Sequence, residues 1–234
     1  MNKTVAIVLA AGQGKRMNSN IHKQYLLMKE KPVLYYSLKA FQESFIEEII
    51  LVVGPGEVEY CKHEIVEQFE FTKVSKIIEG GKERYHSVYN GLLAAGPDTS
   101  YVFIHDGARP FIDDAILERA YECVQKEKAC VVGMPVKDTI KIADKDGYVE
   151  HTPDRASVWM VQTPQVFEYP LVKSGYDTFI QEEQQGRTES VSITDDASVV
   201  EQYLHTAIKL VEGSYENIKI TTPEDLTVAE SFLK

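Results

Sequence analysis

The sequence predicts an α/β fold: a mostly parallel sheet with helices on both faces, plus a protruding β-hairpin arm. Three observations carry this. Apolar, β-branched runs alternate with amphipathic stretches through residues 5–134. The first run, Thr4–Ala11, has no polar alternation, as befits a strand buried on both faces. Beyond residue 135 the alternation gives way to two short runs around an Asp-Gly turn.

Taken in order, strands are expected over Val5–Ala10, Glu48–Val53, Lys73–Glu79, Tyr101–His105 and Ala129–Met134. Helices are expected over Pro32–Gln42, Glu57–Phe69, Glu83–Ala95 and Asp113–Glu127, each amphipathic enough to cover a sheet. Strand-helix alternation at this spacing implies right-handed crossovers, with ligands gathering at the carboxyl ends of the strands. The Gly12–Gly14 turn, Gly80-Gly81 and His105-Asp106 each follow a predicted strand, so they are expected to face one crevice. The hairpin is expected over Val136–Ala143 and Tyr148–Thr152, joined through Asp144–Gly147. Val166–Gln185 reads as mainly helical, and Asp195–Tyr203 as a helix capped by Thr194. Thr206–Val211 reads as a strand, and Thr222-Pro-Glu-Asp opens a last helix. The 234 residues read as a single domain, 1–234, with the arm at 136–159 inside it.

Composition narrows the function. Lysines and arginines number 25 against 36 acids, a net charge of −11. That balance argues against nucleic-acid duplexes and anionic membranes as partners. The apolar runs are short of a membrane span. Cys61, Cys123 and Cys130 form no C-x-x-C and read as reduced thiols of a cytoplasmic protein.

Against this acidic background, cations gather around one glycine turn. LAAGQGKRM, Leu9–Met17, places Lys15 and Arg16 just past Gly12 and Gly14, and Lys23 follows. The Walker spacing fails because the glycines are too close, and the dinucleotide fingerprint fails because Met17 stands at the third glycine. A signal peptide is the competing reading, but the apolar run is short for one and leads into a basic turn. What remains is a backbone cradle for a small anion such as a polyphosphate.

Five ordered stretches then carry a family resemblance. They are LAAGQGKRM with HKQYL (His22–Leu26), GGKERYHSV (Gly80–Val88), HDGARPFI (His105–Ile112), PVKDTIK (Pro135–Lys141) with VQTPQVF (Val161–Phe167), and TDDASVVE (Thr194–Glu201) with NIKITTPEDL (Asn217–Leu226). In this order and spacing the chain resembles the 2-C-methyl-D-erythritol 4-phosphate cytidylyltransferases of non-mevalonate isoprenoid synthesis. The resemblance runs from about residue 4 to residue 230. It departs from the family's common residues at His22, where proline is usual, at His86, where an acid or amide is usual, and at Gly107, where alanine is usual.

The resemblance implies a Rossmann-like nucleotidyltransferase fold. It implies a reaction in which a polyol phosphate attacks the α-phosphorus of CTP, with Mg²⁺ as cofactor and pyrophosphate as leaving group. Such a transfer needs alignment and positive charge more than a covalent nucleophile. Arg16 and Lys23 match the family's transition-state-stabilising pair, against a reading as solvated surface cations. Ala10, Ala11, Gly12, Gly14, Gly80, Gly81 and Ser87 match nucleotide contacts, against an ordinary turn and helix start. Asp106 matches a residue near nucleotide and metal, against a carboxylate bracing Arg109. Arg109, Thr139, Arg155 and Lys219 match substrate-phosphate contacts, the last two also serving catalysis. Thr139 and Arg155, on the arm, match residues that complete the other subunit's site, implying a homodimer. Asp195 and Asp196 read equally as metal ligands and as helix caps. Two rivals stay open: a ribitol-5-phosphate cytidylyltransferase, and a non-catalytic nucleotide-binding regulatory domain. A glycosyltransferase of similar fold is disfavoured because its D-x-D pattern occurs here only at Asp144-Lys-Asp146, in the predicted hairpin turn.

Overall fold

The computed structural model describes residues 2–12, 22–188 and 193–233. In chain order the described elements are β1 (Thr4–Ala10), β2 (Leu27–Met28), β3 (Lys31–Pro32), α1 (Val33–Glu43), β4 (Glu48–Val53), α2 (Val58–Cys61), β5 (Val74–Glu79), α3 (Arg84–Ala95), β6 (Tyr101–Asp106) and α4 (Asp114–Glu127). There follow β7 (Ala129–Pro135), β8 (Ile142–Ala143), β9 (Val149–His151), β10 (Trp159–Glu168), α5 (Tyr169–Gln184), α6 (Asp196–Leu204), β11 (Lys209–Glu212) and α7 (Pro223–Phe232). A π-helical turn, Lys62–Glu67, continues α2.

The central sheet runs in the order β11-β7-β10-β6-β1-β4-β5. β1, β4, β5 and β6 are mutually parallel, as are β7 and β11, whereas β10 runs antiparallel between β6 and β7. Both sheet faces are apolar because alternate residues of each strand serve opposite layers. Ala6, Val8, Ile49 and Leu51 pack with Leu38 of α1 and Leu117 of α4. Val5, Ile7, Ile50 and Val52 pack with Leu92 of α3 and Tyr176 of α5. The register pairs Leu9 with Asp106, Ala10 with Val53, and Val53 with Glu79, so these strands end on one rim.

Three sequence expectations need correction. The sequence predicts no strand over residues 159–165 and a mainly helical Val166–Gln185. A strand instead runs to Glu168 and α5 begins at Tyr169. Pro164 and the polar Gln162, Thr163 and Gln165 mask it, because those three side chains are buried. Thr194 does not cap α6; Asp195 does, its carboxylate accepting from the Ser198 N–H at 3.0 Å. The strand expected at Thr206 starts at Lys209. The hairpin exists but pairs only Ile142–Ala143 with Val149–His151, and all five residues are exposed.

Candidate functional site

The rim of the sheet holds one large cavity and, beside it, two smaller spaces around Asp106. The large cavity, of about 680 Å³, is lined by Ala11, Gly12, Gly80, Gly81, Arg84 and Ser87 among others. Glycine is required at its floor: a Cβ on Gly80 would lie 2.6 Å from the Ala11 Cβ, and one on Gly81 2.3 Å from the His86 Cβ. Ser87 Oγ accepts from the Gly81 N–H at 3.1 Å and donates to the Glu83 carbonyl at 3.3 Å, so it fixes the glycine turn over the first turn of α3. His86 accepts from the Glu83 N–H through Nδ1, and its Nε2 pairs with Glu183 at 2.8 Å.

The two smaller spaces meet at Asp106, at the end of β6. Lys219 Nζ donates to Asp106 Oδ2 at 2.6 Å and Arg84 Nε to Oδ1 at 3.3 Å. Burial alone would raise the Asp106 carboxyl, but the charges of Arg84, Lys219 and Arg109 outweigh it and hold the group far below the usual carboxylate range. Lys23, Ala10 and Gln24 line a cavity of about 110 Å³ against Arg84, Asp106 and Lys219. Arg109, Gln165 and Asp195 line a neighbouring cleft of about 300 Å³ that also reaches Arg84 and Asp106.

Arg84 links all three spaces, and it is absent from the residues that the sequence points to. Its guanidinium forks onto Asp196 at 2.8 and 2.9 Å, and Tyr176 donates to the same carboxylate at 2.6 Å. Burial opposes its charge, but Asp196 and Asp106 hold it firmly protonated. Asp196 is therefore occupied structurally, and Asp195 caps a helix. A signal for Arg84 existed: a cation in the first turn of a helix opposes the helix dipole and needs a compensating anion.

The Asp106–Arg109 loop is set from beneath. Thr163 Oγ1 accepts from the Asp106 N–H at 3.1 Å and donates to His105 Nδ1 at 3.1 Å; His105 Nε2 donates to the Arg109 carbonyl at 3.0 Å. This chain of bonds fixes a neutral imidazole, and burial holds the His105 pKa down at about 4. Arg109 itself donates to the Asn217 carbonyl at 2.7 Å, which ties the loop to the segment carrying Lys219. At Gly107 the loop passes close to β1 and α1: a Cβ there would lie 3.0 Å from the Leu9 carbonyl and 2.8 Å from Leu34 Cδ1.

The structure thus gathers Ala10, Ala11, Gly12, Lys23, Gly80, Gly81, Ser87, Asp106, Arg109 and Lys219 along one rim. Gly14 and Arg16 lie outside the described residues. Thr139 and Arg155 line none of these spaces; both are exposed, and Arg155 donates to the Lys137 carbonyl at 3.0 Å. Asp144 accepts from the N–H groups of Asp146 and Tyr148, so the D-x-D letters belong to an Asx-type turn. Among the described residues no group of three metal-ligating side chains occurs. A magnesium ion sharing its shell with substrate phosphates does not need one, and the ionised oxygens of Asp106 are donors of the right hardness.

A parallel sheet interrupted by one antiparallel strand, with its nucleotide-sized cavity at the carboxyl rim, defines the class: an α/β nucleotidyltransferase-like enzyme. The family model for 2-C-methyl-D-erythritol 4-phosphate cytidylyltransferase matches residues 4–234. The protein of that name from Lachnoclostridium phytofermentans is 50% identical, over 100% of this chain and 97% of the relative. That from Lachnospira eligens is 51% identical over 98% of each. The crystal structure of 4-diphosphocytidyl-2C-methyl-D-erythritol synthase from Anaerococcus prevotii superposes with a TM-score of 0.85 at 32% identity, covering 99% of this chain and 96% of that one. The Thermus thermophilus cytidylyltransferase gives 0.75 at 29% identity, covering 99% and 98%. The chain belongs to the 2-C-methyl-D-erythritol 4-phosphate cytidylyltransferase family.

Proposed function

We propose that this chain transfers the cytidylyl group of CTP to 2-C-methyl-D-erythritol 4-phosphate, giving 4-CDP-2-C-methyl-D-erythritol and pyrophosphate. A phosphate oxygen of the polyol phosphate bonds to the α-phosphorus, the bond from that phosphorus to the α,β-bridging oxygen breaks, and its electrons leave with pyrophosphate. No general base is needed, since a phosphate monoester is already anionic near neutral pH. The observation carrying this reading is the convergence of Arg84 and Lys219 on one ionised carboxylate, with Lys23 lining the same cavity beside a glycine-floored space. The base and ribose occupy the space over Gly80, Gly81 and Ser87, with the triphosphate running along Ala10–Gly12. Lys23, with Arg16 beyond the described residues, neutralises charge gathering on the α-phosphate and leaving group. Arg109 and Lys219 orient the attacking phosphate. Asp106 would hold Mg²⁺, which supplies further neutralisation of the triphosphate oxygens.

The arm favours a homodimer. A small hairpin exposing Tyr148 at 74% and Val149 at 57% is marginal alone, and a second copy is the simplest cover. Thr139 and Arg155 would then reach the partner's cleft and bind the polyol phosphate there. Among the described residues no helix is long and apolar enough to cross a membrane. With the three cysteines unpaired, we place the enzyme in the cytoplasm.

Pyrophosphate release from CTP and Mg²⁺ is to be measured across a panel of polyol phosphates. Fastest turnover with 2-C-methyl-D-erythritol 4-phosphate is expected. Faster turnover of ribitol 5-phosphate overturns the substrate assignment, and no release with any acceptor favours a regulatory domain.

A further inference from the structure

The segment that carries Lys23 is pinned on both sides of that lysine, and two of the pins meet on one residue outside the cleft, Glu57. Glu57 follows β4, in the turn that opens α2. Its carboxylate folds back over its own turn, Oε2 accepting from the Gly54 N–H at 3.0 Å. Only glycine permits this, since a Cβ at Gly54 would lie 2.8 Å from that oxygen. The same Oε2 accepts from the Tyr25 hydroxyl at 2.7 Å, and Oε1 pairs with the His22 ring.

Tyr25 has little freedom to do otherwise. Burial raises its hydroxyl pKa far above the usual range, with Cys61 and Glu57 adding to the effect, so it stays a donor. The Cys61 thiol, pushed up to about 11 by burial, stays protonated and donates to the Tyr25 oxygen at 3.0 Å. His22 and Tyr25 bracket a single 3₁₀ turn, closed by the Tyr25 N–H to the His22 carbonyl at 2.9 Å. Between them, Gln24 is buried and donates to the Ala10 carbonyl at 2.5 Å. Lys23 is thus the cation that this turn brings to the Asp106 cleft, which Gln24 also lines, while its neighbours are held on both sides.

We propose that Glu57 is a positioning residue of the reaction: its carboxylate fixes the His22–Tyr25 turn and so sets where Lys23 stands relative to the α-phosphate. This rests on the catalytic reading of Lys23. Glu57 touches neither substrate, and its effect is transmitted through the turn. A carboxylate is suited to the task because it accepts from three donors at once, and Gly54, Tyr25 and His22 supply them. A displacement of about 1 Å at a charge-stabilising group is enough to cost about 10²-fold in rate.

The test is a kinetic cycle on the full chain with saturating polyol phosphate. Glu57→Ala is expected to lower kcat about 10-fold to 10²-fold with little change in KM for CTP, since ground-state binding lies largely elsewhere. Glu57→Gln keeps an accepting oxygen and the shape, and should recover most of that loss. In the double variant with Lys23→Ala, kcat should fall no further than in Lys23→Ala alone, because both changes remove the same effect. Losses that multiply in the double variant overturn the proposal, as does wild-type kcat in Glu57→Ala beside a slow Lys23→Ala. Unchanged kcat in Lys23→Ala overturns the catalytic reading of that lysine, and this inference with it. Should Glu57→Ala fail to fold, Tyr25→Phe carries the same cycle: it removes one donor to Glu57 while keeping the ring, and a smaller loss, absent in the Lys23→Ala background, is expected.

Discussion

At the end of β6, Asp106 is buried between Arg84 and Lys219, and Arg84 is in turn locked to Asp196, which also accepts from Tyr176. Along β8 and β9 the side chains are exposed, and Arg155 meets no carboxylate at ion-pair distance among the described residues. One region settles its charges within the chain and needs no partner to hold its shape. The other keeps a guanidinium and apolar side chains at the surface, where they gain only when something covers them. The contrast sets a charge network completed within the chain, as preorganised stabilisation requires, against a guanidinium left open to solvent.

The largest effect should come from cutting the buried network. Arg84→Ala leaves Asp196 buried without its cation, and urea denaturation should show a loss of about 3–5 kcal/mol, the scale for breaking a buried pair. A loss under about 1 kcal/mol would place this pair among ordinary surface bridges and erase the contrast.

A somewhat smaller effect should follow pH. His105 is held at about 4 in the fold and titrates near 6.5 when unfolded, so the unfolded chain binds the extra proton between those values. Stability should therefore be complete above about pH 6.5 and fall as pH drops toward 4, by about 3 kcal/mol from this group. Asp106, with its depressed pKa, adds its own loss only at more acid pH, below the unfolded carboxylate value. Denaturation curves at pH 7 and pH 4.5 measure the slope. An undiminished slope in His105→Gln would move the proton to another site.

The arm should behave in the opposite manner, with almost no stability cost and a large functional one. Arg155→Ala should stay within about 0.5 kcal/mol of wild type, as surface changes do, yet lose activity. If the proposed dimer shares its sites, mixing Arg155→Ala with Lys23→Ala should restore part of the activity, because mixed dimers would hold one site with both residues intact. No recovery after demonstrated subunit exchange would put Arg155 in its own chain's site and sink the sharing of sites.

How far the sequence was legible follows the same division. β1, β4 and β6 could be read because burial on both faces leaves long apolar runs, and the glycine turns and Asp106 followed from where those runs stop. β10 could not, because Gln162, Thr163 and Gln165 are buried for their hydrogen bonds rather than their apolarity. Arg84 was hidden within a quoted motif, since its partners Asp106 and Asp196 lie 22 and 112 residues away. Glu57 looked like one acid among many, because the donors that single it out come from another element.

The antiparallel course of β10 also bears on how the chain acquires its fold. β6 and β7 are consecutive sheet strands in sequence but do not pair with each other; each waits for residues 159–168, and β7 waits again for Lys209–Glu212. A nascent chain that has emerged only as far as the hairpin therefore carries β6 with one bare edge and β7 with two. Unpaired edges of apolar strands recruit other strands, including those of neighbouring chains. Closing them demands late, long-range contacts, the kind that slow folding. The wedge strand that steadies Asp106 from below in the finished enzyme is thus also the piece whose delay leaves the unfinished one most open to aggregation.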